Sequence, residues 1–201
     1  MKILALELST ARGSLALRGD KLQFAREWPN DRKNSGPFFE HLAEMRKQFG
    51  KPDRIVVGLG PGSYAGIRIA ISATIGLQAA CNAQLVGLPS ICAIECEANE
   101  YCVIGDARRQ SFFFTRLCEN DLIEGPTLFE ENELQARLGA IQPEVPIFSS
   151  EPLAHFDRLQ LRYPSAELLA RLAQNEGHSF ASPPLEPMYL REPHITTPKK
   201  K

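Results

Sequence analysis

The run VGLGPGSYAGIRIA, from Val57 to Ala70, places glycines at 58, 60, 62 and 66 where a β-branched strand gives way to a helix. Such a passage offers backbone N–H groups and a helix dipole to an anion, so phosphate binding is the first chemistry to test. A Walker A loop requires GxxxxGK[ST], whose lysine and hydroxyl reach the phosphates and magnesium. Here Gly60 and Gly66 are wrongly spaced, and Ile67-Arg68 follows. Counting GxGxxG from Gly58 and Gly60 puts Ser63 in the third glycine's place, so the dinucleotide pattern fails too. Ser63 lies in PGSYA and not in the GxSxG of a nucleophile elbow. What remains is a tight Pro61-Gly62 turn with Ser63 placed to cap the next helix, an N-terminus still able to attract an anion.

Other groups with chemical potential stay ambiguous. Glu7 ends an apolar run just before Ser9 and Thr10. It reads equally as the remnant of a metal ligand or as a strand-end carboxylate satisfied by hydrogen bonds. Asp106, Arg108 and Arg109 share the hairpin loop GDARRQ. Turn chemistry accounts for them at least as well as a contact to nucleic-acid phosphate or a partner's carboxylate. Cys81, Cys92, Cys96, Cys102 and Cys118 form no CxxC pair, and His41, His155, His178 and His194 form neither HxxxH nor HExxH. No metal site is therefore expected, and no Ser/His/Asp arrangement supports hydrolysis.

Basic side chains number 23 against 24 acidic, which is not the electropositive footprint of a protein that grips nucleic acid by itself. Lys199 to Lys201 reads as a solvated tail. The odd cysteine count reads as reduced thiols in the cytoplasm. The first apolar run is too short for a signal peptide, and Ile69–Cys81 falls short of the ~20 residues of a bilayer span. A soluble chain is expected.

The elements that must position these groups follow from periodicity. Residues 2–8, 13–18 and 22–28 read as an antiparallel meander, and a helix begins near Gly36-Pro37. Strands at 54–58 and 84–88 flank a helix over 64–80, and Pro89-Ser90 opens a third helix, giving βββαβαβα. The second half shows a hairpin across GDARRQ, helices near 130–138 and 164–175, and a short strand at 145–148. From Ala181 its prolines predict an extended, wrapping tail. No internal repeat is legible. The 64–80 helix is apolar almost all round, with Arg68 and Gln78 its strongly polar side chains, so it needs cover on more than one side. The Phe38-Phe39 helix beside it also has apolar surface to spare, which points to pairing with another chain.

KILALELSTARGSLAL, RIVVGLGPGSYAGIRIAISATIGL and LVGLPSI, with GDARRQSFFF and PMYLR later, resemble the TsaB family, threonylcarbamoyladenosine biosynthesis protein B. The resemblance covers the first half almost continuously and the second in patches. It implies an α/β fold of the actin-like ATPase and sugar-kinase (ASKHA) superfamily: two lobes of mixed β-sheet flanked by helices, here 1–99 and a reduced 100–201. It further implies a non-catalytic partner in making N6-threonylcarbamoyladenosine on tRNA beside the anticodon. That partner pairs with the transferase TsaD, and TsaE is a further ATP-binding component. The chain would bind no cofactor of its own, meet tRNA only through the complex, and homodimerise when alone.

The implied pairing surface is the two helices at 36–49 and 64–80, with Ser35, Phe38, Phe39, Leu42, Met45, Gly66, Arg68, Ile69, Ala70 and Ala73 as its candidates. Arg68 could equally bond within its own lobe. Glu7, Ser9 and Thr10 mark a degenerate nucleotide site, because Glu7-Leu8-Ser9-Thr10 stands where the family usually has D-T-S-T and no glycine follows for a phosphate. The alternative reading is an enzyme of the same fold, ATP-using or a glycoprotease-like hydrolase.

Overall fold

The structure, a computed structural model, describes residues 1–31, 34–175 and 177–191; the lysine tail and His194 lie outside them. Strands β1 (Ile3–Glu7), β2 (Arg12–Arg18) and β3 (Leu22–Pro29) form the expected meander, with β4 (Arg54–Gly58) and β5 (Gln84–Leu88) added in parallel on the other side of β1. The order is β3-β2-β1-β4-β5. Because side chains alternate across a sheet, Ile3 and Ala5 enter one core while Leu4 and Leu6 enter the other. Helices α1 (Gly36–Phe49) and α2 (Tyr64–Cys81) cover the second of these faces.

A second sheet repeats the plan. Strands β6 (Glu100–Asp106), β7 (Ser111–Cys118) and β8 (Asp121–Glu130) are an antiparallel meander. Beyond β6, β9 (Ile147–Ser149) and β10 (Leu159–Leu161) pair in parallel, giving β10-β9-β6-β7-β8. Helix α3 (Glu131–Gly139) sits where α1 sits in the first lobe, between the meander and the first parallel strand, and Glu130 and Glu133 form its capping box. No helix joins β9 to β10, so the second lobe is the reduced one. The internal repeat that is illegible in the residues is plain in the strand order.

Three expectations change. β8 and β10 carry no periodicity strong enough to predict them; β8 breaks its alternation with Gly125 and Pro126. The helix expected after Pro89 is one 3-10 turn, Ser90–Ala93. The boundary at residue 99 also fails for the last helix, α4 (Ala166–Leu172), which belongs to the second half by sequence but packs on β1 and β2. Ser14 Oγ accepts the Ala166 N–H at 2.9 Å, and Arg54 Nη1 donates to the Ala173 carbonyl at 2.7 Å. Leu168, Leu169 and Leu172 thereby enter a core shared with Tyr101, Val103 and Phe148 of the second sheet. The tail then returns to the first lobe. Ala181 exchanges both backbone hydrogen bonds with Gly87, Leu185 is buried, and Met188 N–H donates to the Leu59 carbonyl at 2.7 Å.

At 18 residues and mean hydropathy 1.2, α2 is long and apolar enough to cross a membrane by length and composition, contrary to the shorter stretch read from sequence. Here it is the crossover between parallel strands β4 and β5, and its buried face lies on that sheet.

Candidate functional site

The glycine loop is consumed by packing. Ser63 caps α2, its Oγ accepting the Gly66 N–H at 3.4 Å, and the Ser63 N–H donates to the Ser9 carbonyl at 2.6 Å. A Cβ on Gly62 would stand 2.1 Å from the Ser9 carbonyl oxygen, and one on Gly66 would stand 2.1 Å from that of Leu8. These glycines let the start of α2 press against the first turn. Asn30 Nδ2 grips the same turn, donating to the Leu8 and Thr10 carbonyls at 3.1 and 2.8 Å. The Ser9 N–H, a donor a phosphate would want, goes to Glu7 Oε1 at 2.6 Å. Thr10 Oγ1 closes its own turn onto Arg12.

Glu7 is fully buried, and a Cβ at Gly58 would fall 1.8 Å from its Oε2. Gly58 is thus the space the carboxyl occupies. Oε2 has no hydrogen-bond partner of good geometry, although the Ser90 hydroxyl lies on the same side. Burial pushes the Glu7 carboxyl above its ordinary value, against the weaker pull of hydrogen bonds from Ser9 and Ser90. Such a group is protonated in the folded chain over a window where the unfolded chain, at about 4.3, has released its proton. The unfolded state then binds fewer protons, so stability falls as pH rises through that window. Glu7→Gln keeps an acceptor for the Ser9 N–H and removes the titration. Its advantage over the wild type should grow between about pH 4 and about pH 8 in urea unfolding. An equal difference at both would show that Glu7 does not titrate this way.

Between the lobes lies a cleft of about 440 Å³. Ser9, Thr10 and Asn30 form one side, Pro61 to Tyr64 a second, the end of β6 with Asp106 and Arg108 a third, and Ser149 to Glu151 a fourth; Pro187 to Arg191 of the tail close it. The fold therefore brings the candidates at 9, 10, 106 and 108 to one place. Arg108 Nη1 donates to Asp106 Oδ2 at 2.9 Å, and the Asp106 N–H to Glu151 Oε1 at 2.8 Å. Arg108, Arg109 and Gln110 hold φ of 66°, 56° and 58° in succession, a conformation costly for side chains with a Cβ. Arg109 is exposed at the rim of this loop.

The second candidate surface is the helix pair. Ser35 at the start of α1 shares a small depression with Ala65, Gly66 and Ile69, and Arg46 Nη1 meets Cys81 Sγ at 2.9 Å, so α1 and α2 run side by side in the same direction. Half of the sequence-derived interface is core instead. Phe38, Leu42, Met45 and Ala70 are at most 8% exposed, and Gly66 is buried, because these residues form the stripe that meets the sheet. Phe39 remains outside at 51%, and Ser35 and Arg68 are exposed, with Ile69 and Ala73 half-buried. Arg68 lies over the Tyr64 ring and bonds its hydroxyl, an intra-lobe contact.

The face that α2 does present is Tyr64, Ala65, Arg68, Ser72, Ile75, Gly76, Ala79 and Ala80, with Tyr64 and Ile75 more than half exposed. Ile75 is part of the all-round apolar pattern read from the sequence but is not among the interface candidates. Tyr189, which packs on Tyr64 with ring centroids 5.8 Å apart, sits in PMYLR without a periodic signal. The Ser149-Ser150-Glu151 wall had none at all. Among the described residues no three His, Cys, Asp or Glu side chains could hold a metal ion, and all five cysteines are free.

Two equivalent mixed sheets around a cleft define a protein of the actin-like ATPase and sugar-kinase fold. YeaZ from Pseudomonas aeruginosa has this fold at TM-score 0.69 and 19% identity, over 86% of this chain and 90% of that one. A second solved structure from Pseudomonas aeruginosa, described as an uncharacterised protein with similarity to peptidase YeaZ, matches at TM-score 0.74 and 20% identity, over 94% and 99%. The family model described as TsaD, tRNA N6-adenosine threonylcarbamoyltransferase, matches residues 37–189. The chain belongs to that family. An uncharacterised Mycobacterium tuberculosis protein is 26% identical over 153 residues, 76% of this chain and 70% of its own length.

Proposed function

We propose that this chain is a non-catalytic partner that binds and activates a TsaD-like transferase in the synthesis of N6-threonylcarbamoyladenosine on tRNA. The observation that carries the reading is the outer face of α2, where Tyr64, Ile75 and a run of small residues stand exposed beside Phe39 of α1. Small residues let another helix approach closely, and the apolar ones lose water only when something covers them. The occupant is the transferase; a second copy of the chain takes its place when the transferase is absent. ATP and magnesium go to the partners, a TsaE-like protein among them, and tRNA is met through the assembly. In support, the first turn's carbonyls are gripped by Asn30 and Ser63, and the Ser9 N–H is spent on Glu7.

The experiment is reconstitution of the modification from the purified transferase, its threonylcarbamoyl donor and tRNA, with and without this chain. Product should depend on the chain and survive Glu7→Gln. If the chain alone turned over ATP or a peptide, and Glu7→Gln abolished that turnover, the catalytic alternative would replace this reading. The inter-lobe cleft is what favours that alternative.

A further inference from the structure

Two polar groups at the cleft lack a well-formed hydrogen bond. Ser9 is 2% exposed, and its Oγ makes no hydrogen bond of good geometry, the Glu7 carboxyl being the group nearest to bonding it. Arg191 Nε, on the tail wall, is buried and makes none either. Most of the cleft's other polar groups are engaged. Asp106 is taken by Arg108 and its own turn, Glu151 Oε1 by the Asp106 N–H, Ser150 Oγ by the Arg162 carbonyl, and Ser149 Oγ by the Glu151 N–H. A buried donor left unbonded costs free energy that a ligand could recover.

Much of the rest of the lining is apolar, with Ile67, Ile91, Val103, Phe113, Pro187 and Met188 among it. The charged lining consists of Asp106 and Glu151 against Arg108 and Arg191, so the cleft as a whole is balanced. A polyphosphate would face two carboxylates with one cation already paired. A single negative charge would find the guanidinium of Arg191 and the hydroxyl of Ser9. At about 440 Å³ the cavity is within the usual size range for small-molecule sites. The wall that carries Arg191 is held to the first lobe by the Met188 N–H on the Leu59 carbonyl and by Tyr189 on Tyr64, so it is part of the fold.

We infer that the inter-lobe cleft is a binding site for a small organic carboxylate with an apolar or aromatic body, held by Arg191 and Ser9. Tyr64 borders both this cleft and the helix face on which partner pairing rests, while Ile75 and Ala79 belong to the helix face alone. The probes are indole-3-acetate, its uncharged analogue tryptophol, and ATP with magnesium, each titrated calorimetrically into the full chain. Indole-3-acetate should bind one to one and at least tenfold more tightly than tryptophol. Arg191→Gln should remove that preference, weakening the carboxylate about tenfold and leaving tryptophol unchanged, as expected for loss of one charge-assisted hydrogen bond. Ser9→Ala should weaken the carboxylate by a smaller factor. Unchanged thermal melting of both variants separates a lost contact from a lost fold. Amide shifts on binding should fall at Ser9, Gly105 and Tyr189. The inference is overturned if no probe binds, if charge makes no difference, if ATP binds more tightly than the carboxylate, or if the shifts map to Ile75 and Ala79.

Discussion

Ala70→Arg will not yield a folded chain. Ala70 is fully buried on α2, between the helix and the strands that carry Leu4, Leu6, Ile55 and Val57. An arginine there must either bury an unpaired charge or lift α2 from the sheet. Leaving a charge unpaired in a core costs about 3–5 kcal/mol, and overpacking adds about 1–3 kcal/mol. A domain of this kind has about 5–15 kcal/mol in total, so the expected result is loss of the cooperative unfolding transition. Leu42→Glu, at 8% exposure against the same face, should behave similarly. Circular dichroism on heating decides it. A normal melt for Ala70→Arg would mean that α2 does not pack on the sheet as described.

Ile75→Glu should do the opposite. The side chain is 51% exposed in the lone chain and sits one helical turn from Ser72 and Ala79 on the outer face of α2. Exposed sites away from caps and cores change stability by only about 0.5 kcal/mol, so the melt should stay close to wild type. In a complex that covers this face, a carboxylate would be buried against apolar surface without a partner. Central interface positions cost about 2 kcal/mol or more when disrupted, and about 3 kcal/mol corresponds to more than a hundredfold in affinity. Binding to the transferase, measured by calorimetry, should therefore fall by two orders of magnitude with the fold intact. An unchanged affinity would place the partner elsewhere, and an unfolded variant would mean that Ile75 is structural.

The contrast between these two residues shows what the sequence could and could not resolve. Its periodicity located both helices and their apolar excess, because a helix with so few polar side chains cannot be an ordinary surface helix. It could not divide the excess between core and surface. Ala70 and Ile75 are both apolar, and which faces the sheet depends on the angle at which α2 crosses β4 and β5. The Gly62 and Gly66 packing was foreseeable as close approach, but not that the approach would be to the Leu8 and Ser9 carbonyls. The first sheet was legible because its strands are continuous and β-branched or leucine-rich. The second hid two strands: β10 has three residues, with two of them exposed, and β8 is an edge strand half-open to water. The inter-lobe cleft was legible only in fragments, since Ser9, Asp106, Ser150 and Arg191 are brought together by tertiary structure alone.

The most direct measurement for the central claim is size-exclusion chromatography with light scattering, on the chain alone and mixed with the TsaD homologue of the same organism. The expected result is a stable complex of one chain with one transferase, formed whether the chain alone runs as a monomer or as a pair of copies, and absent with Ile75→Glu. A chain that elutes unchanged beside that transferase would contradict the partner role, and would make the cleft between the lobes, not the face of α2, the place to look for function.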